Sequence, residues 1–270
     1  MSIYPRPRKR FGQNFLHDQN IIAMIVAAAE LTDYDHVLEI GPGQGALTDK
    51  MLPLVKSLDI IEIDRDLAQN FIERNDEKLS VHVGDALKMD WNLLLQSSEC
   101  KLVANLPYNI SSQILFKMIT HRQLISRMVL MFQKEVGDRL RAEPGSKEYG
   151  SLTVMCQLWF DVRRVALVSP TAFKPQPKVM SEVLCFDRRD SPRVDVADAD
   201  FFRRVVKASF AQRRKTLRNC LGAAGFSAMV IDITAEQASI DMKRRGETLT
   251  IQEFALLAKQ LQIVENNQLS

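Results

Sequence analysis

The chain has 270 residues, 46% of them apolar, enough to bury one large core or a medium and a small one, which argues against wholesale disorder. With 36 Lys and Arg against 33 Asp and Glu the net charge is only +3, so overall charge does not mark a nucleic-acid binder and its clustering has to be read instead. The longest apolar run, 21–29, is too short for a bilayer, which needs ~20 residues, and Cys100, Cys156, Cys185 and Cys220 form no CxxC pair, which argues against a zinc site and a disulfide scaffold. In chain order, residues 36–40 read as a strand, 41–45 as a tight turn, and a helix is predicted from Ala46 onward. A second strand, 58–64, ends in acids; a third, 79–83, is followed by Gly84-Asp85. A fourth, 101–104, is followed by Asn105-Leu106-Pro107-Tyr108, and 128–133 is a fifth. Such alternation predicts βαβ units, a parallel sheet with right-handed crossovers and helices on both faces. Two more β-rich runs, 159–168 and 179–187, flank a Pro-punctuated loop and predict an antiparallel pair at one edge. Residues 187–200 are charged and read as a linker, and from 201 to 264 the pattern is helical only. The expected organisation is therefore an α/β domain over 1–190 and a smaller all-helical domain over 191–270.

Three strand ends carry the first chemical signal. Gly41, Gly43 and Gly45 follow a strand and open a helix, and glycine lets a backbone turn sharply and approach a ligand with no Cβ in the way. An ordinary β-to-α turn has the same need, so the turn alone is weak. Glu62 and Asp64 end the next strand, about 20 residues on, where an acid accepts hydrogen bonds from two ribose hydroxyls. Asp85 ends the third and suits an adenine amine. The spacing G-x-G-x-G, with Glu39 two residues ahead, differs from a dinucleotide turn and looks like the S-adenosylmethionine turn of methyltransferases with this fold. No P-loop Lys-Ser/Thr is present, which disfavours ATP hydrolysis.

The fourth strand end suggests what happens to the ligand. An adenine exocyclic amine is a poor nucleophile, because its lone pair is delocalised into the ring. Two acceptors at its protons favour a tetrahedral nitrogen with a localised pair. The Asn105 amide oxygen and a carbonyl of Leu106 or Pro107 can supply them, and Tyr108 offers a face for stacking. A sulfonium donor is electrophilic enough that alignment and preorganisation carry most of the rate. Read alone, the tetrapeptide is equally a Pro turn with a capping Asn.

The stretch 203–218 holds seven basic residues and no acid. At about 100° per residue, Arg203, Arg204, Lys207, Arg214, Lys215 and Arg218 fall within roughly a third of a helix circumference. Arg213 falls among the apolar residues, which predicts a helix break near Ala211-Gln212. A one-signed stripe suits phosphate contact better than a solvated face, which usually mixes signs. The N-terminal arm adds Arg6, Arg8, Lys9 and Arg10.

In order and without a large gap, from about Arg8 to about Ala258, the chain resembles the ribosomal RNA adenine N6,N6-dimethyltransferase family. Residues 9–16 look like its N-terminal cofactor segment, which the residues alone would read as an amphipathic arm. Residues 39–48 look like its glycine turn, Glu62 its ribose acid, Asp85 its adenine acid and Asn105-Leu106-Pro107-Tyr108 its catalytic tetrapeptide. Residues 170–179 resemble its substrate-side loop, and 243–249 its helical-domain signature, although Thr248 there is equally an N-cap of the next helix. The resemblance implies a Rossmann-like class I methyltransferase sheet with a helical C-terminal domain. It implies that Gln13, Asn14 and Leu16 close over S-adenosylmethionine, Gly41 lies against its methionine part, and Phe173 stacks on a flipped-out base. It further implies dimethylation of two adjacent adenosines near the 3′ end of 16S ribosomal RNA in the small subunit, with a role in subunit biogenesis. A large-subunit methylase, or an RNA-binding assembly or transcription factor on the same fold, is the alternative. A cytoplasmic monomer without membrane span or metal is expected; the polar stretch 11–20 separates the basic N-terminus from the apolar run and argues against a signal peptide.

Overall fold

The computed structural model describes Arg8, residues 12–95 and residues 99–269. Arg6, Lys9, Arg10 and Phe11 therefore lie outside the described residues. Nine strands are described: β1 Phe15–Leu16, β2 His36–Ile40, β3 Ser57–Glu62, β4 Leu79–Val83, β5 Cys100–Asn105, β6 Ile125–Gln133, β7 Phe160–Val168, β8 Phe173–Lys174 and β9 Ser181–Arg188. Seven form one sheet in the order β4-β3-β2-β5-β6-β9-β7. Its first five strands are parallel and β9 runs antiparallel to β6. The order reverses between β2 and β5, and at such a switch point the strand ends leave a crevice for ligands.

Local sequence explains where most elements stop. The helix after the glycine turn covers only Thr48–Met51 and becomes a 3-10 turn at Leu52–Leu54, where Pro53 has no amide hydrogen to continue it. β3 ends at Glu62, two residues before the expected limit, because Asp64 caps the helix Arg65–Ile72 by accepting from the Asp66 amide. Central strands are buried on both faces, with Leu38, Ile60, Leu102 and Val129 all at most 1% exposed, as a helix-covered parallel sheet requires.

The sequence pattern missed a two-stranded ribbon. β1 pairs antiparallel with β8, Phe15 opposite Lys174 and Leu16 opposite Phe173. The His17 amide extends the pairing onto the Ala172 carbonyl. Two-residue strands from opposite ends of the domain leave no periodicity to read.

The chain divides into two compact units, Met1–Gly137 with Asp161–Arg188, and Asp138–Phe160 with Arg189–Ser270. The single boundary expected near 190 is corrected: the second unit also takes Asp138–Phe160 from the middle of the first. The reason is packing. Tyr149 is buried edge-on against Phe210, which in turn packs on Phe254, and the Gly145 amide donates to the Glu247 carbonyl. In this unit the helices Ala199–Ser209, Leu217–Ala223, Ala228–Ala238 and Ile251–Leu269 follow one another. Thr250 rather than Thr248 caps the last of them: its Oγ1 accepts from the Glu253 amide, and its own amide donates to the Glu253 carboxylate. Gly246 is buried so closely that a Cβ there would lie 2.5 Å from the Ser209 carbonyl oxygen, which is why that turn carries glycine.

Candidate active site

The ends of β2, β3, β4 and β5 and the segment 12–16 enclose one cleft of about 940 Å³, mouth included, within the first unit. Gln13, Asn14, Leu16, Gly41, Gly43, Glu62, Asp85, Asn105, Leu106, Pro107 and Tyr108 all line it. Residues spread over almost 100 positions thus meet in one volume, which suits a cofactor-sized ligand.

Gly43 has φ +59°, and a Cβ added there would lie 3.0 Å from the Phe15 ring. Glycine is needed both for the left-handed backbone and for the close approach of the arm. The Gly43 amide donates to Glu62 Oε2 at 3.3 Å, and the Asp64 amide to Glu62 Oε1 at 2.9 Å. Glu62 is only 4% exposed. Burial pushes its carboxyl above the usual carboxylate range, and those two amides pull it back. Each carboxylate oxygen keeps lone pairs for further donors.

The arm is tied to the same strand end. Gln13 Nε2 donates to Asp64 Oδ2 at 3.2 Å, and the Arg8 guanidinium pairs with Asp64 Oδ1 at 2.8 Å. Asp85 receives the Leu87 amide on Oδ1 at 2.9 Å, which orients its carboxylate at the β4 end. Lys117 secures the following loop by donating to the carbonyls of Leu87 and Met89.

At the β5 end, Asn105 Nδ2 donates to the Asn14 carbonyl at 3.1 Å. The amide nitrogen is thereby committed to the arm, and Oδ1 is left as the acceptor. The Pro107 carbonyl accepts the Ile110 amide at 3.1 Å in the turn that starts the next helix.

Phe173 requires a correction. Its ring is 1% exposed, belongs to the core cluster with Leu16 and Val168, and does not line the cleft. A ring with no exposed face cannot stack on a base; this one fastens the β1–β8 ribbon, and deleting such a ring typically costs about 3–5 kcal/mol. Tyr108 is the aromatic residue of the tetrapeptide that does line the cleft.

Sequence reading named Glu39 only as part of a spacing. It also lines the cleft, is 1% exposed, and accepts the Thr48 hydroxyl at 2.6 Å. An acid inside an otherwise apolar buried strand was the available signal. Burial pushes its carboxyl up to about 8, opposed by the Thr48 bond. The folded state thus holds a proton that the unfolded state releases near 4.5. The associated stability is complete below that lower value and is lost as pH rises through about 8. Glu39→Gln keeps an acceptor for Thr48 and removes the ionisation. Its melting temperature should exceed that of the wild type by on the order of 5 °C at pH 9, with the gap closing at pH 5; calorimetry across that range measures it.

In the second unit the six basic residues do not share one helix. The helix ends at Ser209, so Arg214 and Lys215 sit in the connecting turn and Arg218 on the next helix, with the break where Arg213 predicted it. The stripe is not free of acids either: Arg203 pairs with Asp200, Arg204 with Glu265 and Arg218 with Asp232. Arg204 also stacks over Phe226 at 4.7 Å. Lys207, Arg214 and Lys215 are exposed.

Among the described residues no cluster of His, Cys, Asp and Glu could hold a metal ion, and no helix is long and apolar enough to cross a membrane. A model of the family described as ribosomal RNA adenine dimethylase matches residues 5–262. The chain is 60% identical over 257 residues to a ribosomal RNA small subunit methyltransferase A of Syntrophotalea carbinolica, covering 95% of this chain and 97% of the relative. It is similar to the crystal structure of a dimethyladenosine transferase from Plasmodium falciparum, with TM-score 0.79, 28% identity, and 93% and 98% of the two chains covered. Similarity to the 23S rRNA methyltransferase ErmE is lower, with TM-score 0.69, 25% identity, and 92% and 100% covered. On a family match over residues 5–262 and 60% identity along nearly the whole of a relative, the chain belongs to the ribosomal RNA adenine dimethylase family.

Proposed function

We propose that this methyltransferase moves methyl groups from S-adenosylmethionine to N6 of two adjacent adenosines in a hairpin near the 3′ end of 16S ribosomal RNA, within the small subunit. The observation that supports it most is the Asn105 amide, with its nitrogen committed to Asn14 and its oxygen left to accept, in one cleft with Glu62 and Asp85. The small rather than the large subunit is favoured by 60% identity to a relative that carries the small-subunit name, against 25% to ErmE.

The cleft fits the cofactor in size, in the glycine cradle at Gly43 and in its two acids. When bound, S-adenosylmethionine supplies an electrophilic sulfonium methyl. Glu62 holds the ribose hydroxyls, Asp85 the adenine amine, and Gly41 borders the methionine part; Gln13, Asn14 and Leu16 cover it. Asn105 Oδ1 and a carbonyl of Leu106 or Pro107 accept the two protons of the target amine and localise its lone pair. Tyr108 presents a ring for the base to stack on. No basic side chain is needed before transfer, and the proton leaves to water once the new N–C bond has formed. Preorganised acceptors in a partly buried cleft carry the rate.

Mass spectrometry of RNA recovered from immature small subunits, after incubation with protein and isotopically labelled cofactor, tests the reaction; paired dimethyladenosines are expected. Glu62→Ala should weaken cofactor binding roughly tenfold to a hundredfold, since two hydrogen bonds to a charged acceptor are lost. Calorimetric titration with S-adenosylmethionine measures that loss.

A further inference from the structure

Tyr108 is held at both ends by serines that come from different parts of the domain. Ser111, at the start of the helix Ser111–Thr120, donates its hydroxyl to the Tyr108 carbonyl at 3.1 Å. Ser181, the first residue of β9, meets the Tyr108 phenol at 2.5 Å. Ser181 is fully buried, paired opposite Gln133 on β6, and its Cα is fixed by the antiparallel ladder. The ring between these two anchors is only half-buried and borders the cleft. A half-buried tyrosine tethered at its backbone alone can turn about χ1; a second bond from a rigid strand selects one orientation.

We propose that Ser181 is a positioning residue that orients the Tyr108 ring as the stacking face for the target base. The proposal rests on the reading of Tyr108 given above. It gives β9 a part in substrate alignment that the sheet itself does not require, since β9 is already paired with β6 and packed in the core. Ser181 is fully buried and does not line the cleft, so its route to the substrate runs through Tyr108. Its effect therefore belongs to alignment of the amine and leaves cofactor affinity alone.

The test is a double-mutant cycle with Ser181→Ala, Tyr108→Phe and the combined variant, read as methyl transfer to immature small subunits. Both single changes break the same hydrogen bond. Each is expected to lower kcat by roughly three- to tenfold, with the combined variant no worse than either single one and S-adenosylmethionine affinity unchanged in all three. Tyr108→Phe removes the bond without disturbing the buried serine, so the cycle survives if Ser181→Ala packs poorly. Effects that multiply, a single variant with full activity, or a loss of cofactor affinity in Ser181→Ala would overturn the proposal. Tyr108→Ala separates it from the reading beneath it. Wild-type transfer by Tyr108→Ala sinks the stacking role and the proposal with it. An inactive Tyr108→Ala beside a fully active Ser181→Ala sinks only the role of Ser181.

Discussion

Asn105→Ala is expected to fold and to bind the small subunit normally while losing methyl transfer by roughly 10²–10³. The lost oxygen is asked to act mainly in the transition state, where the amine nitrogen gathers its lone pair. The defect should therefore appear in kcat more than in KM for the RNA. The structure adds a second expectation. Asn105 Nδ2 is bonded to the Asn14 carbonyl, so the alanine variant also releases the arm, and cofactor affinity should fall by a smaller factor. Asn105→Asp separates the two effects: it keeps an acceptor toward the amine but turns a donor into an acceptor against the Asn14 carbonyl. Its loss of cofactor affinity should exceed that of Asn105→Ala. The second methylation should suffer at least as much as the first, because a monomethylated amine has one proton left to hold. Single-turnover transfer to immature subunits, with cofactor affinity titrated separately, checks each part. Near wild-type dimethylation by the alanine variant would reduce Asn105 to a turn residue.

Reversing Lys207, Arg214 and Lys215 together to Glu should weaken binding to the small subunit about a hundredfold at physiological salt and leave cofactor affinity unchanged. Among the described residues these exposed cations have no acid partner, whereas Arg203, Arg204 and Arg218 each face a carboxylate and Arg213 donates to the Lys147 carbonyl. A cation already paired gives up its partner before it meets a phosphate, so its net contribution is smaller. The native protein should bind more weakly as salt rises, and the triple variant should show a slope shallower by roughly 2–3. The matched reversal of Arg203 and Arg218 should cost less affinity and more folding stability, because Asp200 and Asp232 would then face like charges. Filter binding across a salt series, together with thermal melts, distinguishes the two sets. Equal salt slopes in wild type and triple variant would put the phosphate contacts elsewhere on the protein.

The parts legible in the sequence are those that depend on near neighbours. Alternating apolar runs specified the five parallel strands, because a strand buried on both faces must be apolar whatever it packs against. The glycines at 41–45 declared a turn through the positive φ that only glycine adopts freely, and Gly43 has it at +59°. An acid or amide at each successive strand end marked the edge where Glu62, Asp85 and Asn105 now line one cleft. Even the helix break near Arg213 was visible, since a cation on an apolar face forbids continuation.

Distant pairing decided the rest. The family resemblance makes Phe173 a base-stacking ring in a Pro-punctuated loop, yet pairing of β8 with β1 draws it into the core. The Pro107 carbonyl finds its partner in the Ile110 amide, and the Tyr108 phenol in a serine 73 residues away. Asp138–Phe160 belongs with the helical unit because Tyr149 finds its partner at Phe210, which no composition shift announces. Asp232 and Glu265 neutralise cations that look unopposed within their own segment. Local propensity and periodicity act over a few residues, so they determine elements and their ends; burial and charge pairing depend on which elements become neighbours, and only the folded chain settles that.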